Sequence, residues 1–261
     1  MAAEETPRLW RAEDFRRERP EGWLPQPVRD EEGNLTAYRY EGAAADGGDV
    51  TFEVVRPCDV GRRAIGPDDL RARCFSGEFE RLGARATFAA SSWPEQSALQ
   101  AARHWFREFP ALVAEDRPAG LVLYGEVGVG KTWLACCLLN ELCGKTVRCR
   151  MTTLRAVMDR ISAAYGECGP TVAALARYGL VCLDDFGGER DTRTAREQAF
   201  AVVDGLEKRG VPIVATTNLT AAQLANGCER VDARVLDRLK GQAFSCVEVK
   251  GPNRRQLRAR A

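Results

Sequence analysis

Residues 125–132 read Gly-Glu-Val-Gly-Val-Gly-Lys-Thr, and these types at this spacing suit one task. Gly125, Gly128 and Gly130 let the backbone curl so that successive N–H groups, including those of Glu126, Val127 and Val129, point inward at an anion. Lys131 supplies a cation for the β- and γ-phosphates of a nucleotide, and the Thr132 hydroxyl is a hard oxygen donor for Mg2+. Trp133 follows directly, an unusually large residue next to such a loop. A helix starting at Lys131 would turn the positive end of its dipole toward the same phosphates. The implied ligand is ATP with Mg2+.

Two further segments complete this chemistry. Leu180-Val181-Cys182-Leu183-Asp184-Asp185 reads as a buried strand that delivers two carboxylates at its C-terminal edge, where ligands bind in open parallel sheets. Asp184 is the candidate Mg2+ ligand, acting through water, and Asp185 the candidate base that polarises an attacking water. Asp185 could instead cap the turn at Phe186-Gly187-Gly188, and Glu189 is a second candidate base. Pro212 to Asn218 reads as another buried strand with a polar end. Asn218 can orient the lytic water or detect loss of the γ-phosphate; its alternative is a helix N-cap ahead of Leu219-Thr220.

These residues need a scaffold, and the patterning supplies one. Apolar runs predict strands at 120–124, 146–151, 180–184, 212–217 and 244–249, and helical periodicity falls at 131–142, 153–165, 194–208 and 229–239. The alternation predicts a parallel five-stranded sheet flanked by helices on both faces, an α/β fold. A helix is also expected at 94–108, burying Leu99, Ala102 and Phe106. Residues 1–80 are rich in Pro and Gly and read as a small N-terminal region, either a folded module or a partly disordered arm, with short strands at 35–40 and 50–55 and a short helix at 68–74.

Composition narrows the functional classes. No apolar run is long enough to span a bilayer, and the charged N-terminus has no signal-peptide core, so a cytoplasmic location is expected. The ten cysteines lack Cys-x-x-Cys pairs and His104 is the only histidine. That argues for buried thiols over a disulfide framework. A zinc site from Cys58, Cys74, Cys143 and Cys149 is conceivable, but its spacings do not suit common zinc modules. Residues 1–80 carry 12 Arg against 18 Asp and Glu, and the remainder carries 26 Lys and Arg against 19 Asp and Glu. An acidic head on a basic body suggests two surfaces with different partners, nucleic acid being one candidate for the body.

The three motifs in this order, followed by Arg234-Val235-Leu236-Asp237-Arg238-Leu239, resemble the AAA+ ATPases. More narrowly they resemble the DnaC/IstB-type group of helicase loaders and transposition helpers, over about residues 80–256. Asp184-Asp185-Phe186-Gly187, Ala215-Thr216-Thr217-Asn218 and the closing Gly251-Pro252-Asn253-Arg254-Arg255 carry the narrower likeness. The resemblance implies a P-loop AAA+ domain over 81–261 that lacks the C-terminal helical lid. It implies Arg238, or failing that Arg234, as an arginine finger reaching the γ-phosphate of a neighbouring subunit. The other reading of that helix is a basic face paired to Asp232 and Asp237. It further implies self-association on ATP binding, and a helix pair within 153–178 near single-stranded DNA, with Arg148, Arg150, Arg155 and Arg160 either as phosphate contacts or as a solvated helix face. Base stacking there has only Tyr165 to rely on. The function implied is an ATP-hydrolysing helicase loader acting in DNA replication, its region 1–80 docking a replicative helicase. The alternatives are a transposition helper that binds double-stranded DNA and a transposase, or a non-hydrolysing ATP-switched adaptor.

Overall fold

The computed structural model describes residues 26–29, 35–43, 49–54, 67–89, 96–188, 192–228, 231 and 233–254. The chain divides into two compact units, residues 1–65 with 108–117, and residues 66–107 with 118–261. In the first, β1 (Gln26–Arg29), β2 (Leu35–Ala43) and β3 (Asp49–Val54) form an antiparallel sheet in sequence order. The strands expected at 35–40 and 50–55 are β2 and β3. The extra strand, β1, is four residues long and contains Pro27, which argues against a strand in sequence and is tolerated here because β1 lies at the sheet edge.

The second unit is built on β4 (Gly120–Tyr124), β5 (Cys149–Thr153), β6 (Leu180–Phe186), β7 (Ile213–Thr217) and β8 (Ala243–Glu248). They form one five-stranded sheet in the order β5-β6-β7-β4-β8, every pair parallel. The helices are α1 (Pro67–Cys74), α2 (Glu80–Gly83), α3 (Gln96–Ala114), α4 (Lys131–Gly144), α5 (Leu154–Ala163), α6 (Cys168–Leu175), α7 (Arg193–Glu207), α8 (Ala221–Asn226) and α9 (Ala233–Gly241). Both sheet faces are buried, as parallel strands require. Val122, Val181, Leu183, Ile213 and Ala215 point to one face and share a core with α5, α6, α7 and α9. Their alternates Leu121, Leu123, Leu180, Cys182 and Val214 are also fully buried, on the opposite face. Helix α4 is buried nearly all round, and the Asn140 side chain ties it to α2 by donating to the carbonyls of Gly83 (2.7 Å) and Ala86 (2.8 Å).

Several boundaries differ from those read in sequence. Strand β5 is shifted toward its C-terminus, because Thr146 adopts a left-handed turn at φ 63° and closes α4 first. Helix α3 runs on through Pro110 to Ala114, past the expected end at 108. A mid-helix proline costs about 3 kcal/mol, and the burial of Ala111, Leu112 and Ala114 opposes that cost. Within α3, Trp105 is fully buried and donates its indole N–H to the Ala119 carbonyl (3.1 Å), whereas Phe106 is half-buried. The 229–239 helix begins at Ala233 and runs to Gly241. Helix α8 went unread, although Thr220 and Gln223 form a capping box at its start. The expectations for Cys58, Glu189, Asp232 and Arg255, and most of those for 1–66, lie outside the described residues.

Candidate active site

The C-terminal ends of β4, β6 and β7 converge, and every side chain singled out for chemistry near the loop sits there. The parallel register sets Tyr124 beside Thr217 and Leu183 beside Ala215, so the residues after each strand become neighbours. The phosphate loop leaves β4 with Gly125, Gly128 and Gly130 at φ 138°, 82° and 112°, values that strain any residue with a Cβ. Gly130 ends the loop and Lys131 opens α4.

Lys131 is buried, and its ammonium meets three oxygens: the carbonyls of Gly125 (2.9 Å) and Glu126 (2.6 Å), and Asn218 Oδ1 (2.7 Å). Asn218 Nδ2 in turn donates to Asp185 Oδ1 (2.9 Å). Lys131, Asn218 and Asp185 thus form a continuous polar chain linking the loop to the acidic strand end. This side-chain bonding is a different use of Asn218 from an N-cap; the cap of α8 is Thr220.

The two acids occupy different environments. Asp184 is buried, and its carboxylate accepts from Thr216 Oγ1 (2.6 Å) and from the Thr132 hydroxyl. Asp185 is exposed and stands at φ 52°. The cause is a bulge: Leu183 to Phe186 spans three steps on β6 against two on β7, Ala215 to Thr217. The bulge turns Asp185 out toward Asn218 and keeps Asp184 inward. Thr216 pins both, since its oxygen also accepts the Asp185 backbone N–H (3.0 Å). Thr216 was noted in sequence only as part of a motif. What marked it was a polar residue in a buried strand next to the acidic one.

Burial pushes the Asp184 carboxyl above its usual range, and the negative charges of Asp185 and Glu78 push the same way; the Thr216 and Thr132 bonds oppose them. A carboxyl raised on folding binds more protons in the native state, so stability falls as pH rises from the unfolded pKa through the folded one. Ionising Asp184 therefore weakens the nucleotide-free protein. Asp184→Asn keeps an acceptor for Thr216 and removes that charge. The variant should melt at a higher temperature than wild type near pH 7 and lose the extra stabilisation that Mg2+ adds to ATP. A lower melting temperature would show that Asp184 is a structural anchor. The oxygen donors Thr132 and Asp184, bonded to each other beside the phosphate loop, fit Mg2+ in type and position.

The remaining candidates lie elsewhere or play other parts. Trp133 is half-buried in the first turn of α4. Arg238 on α9 is held by acids of α7: Nη1 donates to Glu207 (3.1 Å), and Nη2 lies 3.4 Å from Asp204. Arg234, one turn earlier, stacks over the Phe200 ring at 4.8 Å. Arg150 is tied to the Arg73 carbonyl and Ser76 hydroxyl, whereas Arg155 and Arg160 are exposed on α5. Tyr165, in the turn between α5 and α6, is fully exposed. Cys143 bonds to both Cys74 and Cys149 in a buried thiol cluster. Among the described residues no three or more of His, Cys, Asp and Glu are grouped so as to hold a metal by themselves.

A family model described as IstB-like ATP binding protein matches residues 81–261, most of the chain and the whole site. The chain belongs to the IstB-like family of ATP-binding proteins. One curated relative is the ATP-binding protein of insertion sequence IS1162 from Pseudomonas fluorescens, 31% identical over 86 residues. That stretch is 32% of this IstB-like chain and spans only 37% of the relative's length. Among solved structures, that of DnaI is similar at TM-score 0.55 and 23% identity, covering 71% of this chain and 98% of that one. The DnaC helicase loader gives 0.56 and 21%, over 64% of this chain and 98% of that one. Both likenesses carry the fold, a P-loop AAA+ domain with a five-stranded parallel sheet. Among the described residues of this IstB-like protein no helix is long and apolar enough to cross a membrane.

Proposed function

We propose that this IstB-like protein binds Mg·ATP at residues 125–133, hydrolyses it, and works as an oligomer that loads a replicative helicase on single-stranded DNA. The observation that carries hydrolysis is the Lys131–Asn218–Asp185 chain. It holds an exposed carboxylate in reach of the loop while the buried Asp184 and Thr132 take the metal. Bound Mg2+ would neutralise charge on the β- and γ-phosphate oxygens. Lys131 binds the same phosphates, Asp185 accepts the proton of the attacking water, and Asn218 orients that water between them.

Asp185→Asn tests the chemical step. The variant should bind Mg·ATP as wild type does and lose nearly all turnover. Nucleotide binding that collapses together with hydrolysis would make Asp185 a ligand or a strut and remove it as the base.

The single-stranded reading draws on the α5–α6 hairpin, which exposes Tyr165 with Arg155 and Arg160 on the same element pair. An exposed aromatic on a hairpin that also carries exposed arginines suits an unpaired base and its phosphates. The second reading, a transposition helper acting on double-stranded DNA with a transposase, is favoured by the IS1162 relative. Turnover measured with single- and double-stranded oligonucleotides of equal length separates the two, since the strand that stimulates it identifies the DNA substrate.

A further inference from the structure

The residues that follow β8 lie along the phosphate loop. Val249 N–H donates to the Tyr124 carbonyl (2.7 Å), which continues the β8–β4 pairing to the last residue before the loop. A Cβ on Gly125 would fall 2.4 Å from the Val249 carbonyl oxygen, so here backbone lies against backbone. Gly251, at φ 143°, turns the chain back across the loop. Arg254 N–H then donates to the Gly128 carbonyl (3.0 Å). The Asn253 carboxamide covers Gly128 so closely that a Cβ there would stand 2.3 Å from its Oδ1. The segment therefore touches the loop at its entry, at its first glycine and at its middle glycine.

We propose that residues 249–254 are a positioning strap for the nucleotide, in which Asn253 and the Arg254 backbone N–H hold the Gly128 peptide in its phosphate-binding orientation. The inference rests on the reading that this loop binds ATP. Its physical basis is preorganisation. A glycine-rich loop is entropically costly to order, and a carbonyl fixed by a neighbouring N–H leaves its own peptide N–H already aimed at the ligand. Coupling runs both ways, so occupancy of the loop must also steady the strap.

The test uses the full chain with N-methylanthraniloyl-ATP as probe, ATP turnover as the second measurement, and trypsin cleavage after Lys250 as the third. N253A should raise the probe Kd and the ATP KM about tenfold, while kcat changes much less. R254P, which lacks the N–H, should bind more weakly than R254A, which keeps it. ATP should protect the Lys250 site in wild type and protect it less in N253A. N253S serves if N253A does not fold. A wild-type protein that fails to bind the probe would refute the ATP reading itself. Normal binding by wild type, with N253A and R254P unchanged in affinity, would overturn the strap alone. So would a fall in kcat at unchanged affinity, because Asn253 would then act in the chemistry.

Discussion

Lys131→Ala protein should turn over no measurable ATP and bind it at least about 10²-fold more weakly than wild type. The expectation follows from the donors around the loop. The Lys131 ammonium sits among the Gly125 and Glu126 carbonyls and Asn218 Oδ1, all within 2.9 Å, and a triphosphate competes for those same N–H groups. No other residue between 125 and 132 carries a positive charge, so nothing in the loop can replace it. The variant also breaks the polar chain to Asp185, which removes orientation as well as charge. Titration with a fluorescent ATP analogue and a phosphate-release assay check the two halves separately. Near-normal turnover would mean that the nucleotide is held somewhere else.

Arg238→Ala protein binds ATP normally and hydrolyses it about 10³-fold more slowly, if Arg238 is the finger of an assembled ring. Glu207 and Asp204 hold its guanidinium within one chain, so reaching a neighbour's γ-phosphate means exchanging two carboxylates for the phosphate. Mixing Arg238→Ala with Lys131→Ala should restore part of the activity, because an intact Arg238 on one chain can serve the intact loop on the other. A finger acting within its own chain gives no rescue at any ratio. Neither does an Arg238 that only bridges α7 and α9, and its loss would lower thermal stability without nucleotide. Absence of rescue between folded, co-assembling mutants would remove the oligomeric mechanism.

The three inner strands of the sheet, β6, β7 and β4, were legible because each is an apolar run closed by a breaker or a polar residue. Leu121 to Tyr124 ends at Gly125, and Leu180 to Leu183 ends at two acids. The meeting of the candidate side chains was legible for the same reason, since parallel strands bring their C-terminal ends together. What escaped the sequence depended on contacts between distant segments. Trp105 rather than Phe106 is buried because it shares the helix face of Ala98, Ala102, Phe109 and Leu112, and its indole finds the Ala119 carbonyl, a bond the spacing does not show. The double duty of Thr216 depends on the β6 bulge, and the bulge shows only in the pairing of β6 with β7. The strap depends on Gly128 and Asn253 meeting across more than a hundred residues. Helix α8 was readable from Thr220 and Gln223, but its six residues, fewer than two turns, are too short for an apolar stripe to mark it.

The left-handed backbone at Asp185 bears on how this protein can change over generations. At φ 52° most side chains press their Cβ against the neighbouring carbonyl, at roughly 1–2 kcal/mol, while Gly, Asn and Asp are the residues that visit the region readily. The backbone therefore narrows the tolerated residues at this position to a short set, of which only Asp carries a charge. Asn is one base change away from Asp, and its side chain can still accept from Asn218. With Asp185 as the base proposed above, drift to Asn gives descendants that fold, bind nucleotide and release it unchanged. An ATP-driven machine and an ATP-sensing switch are, at this one position, mutational neighbours.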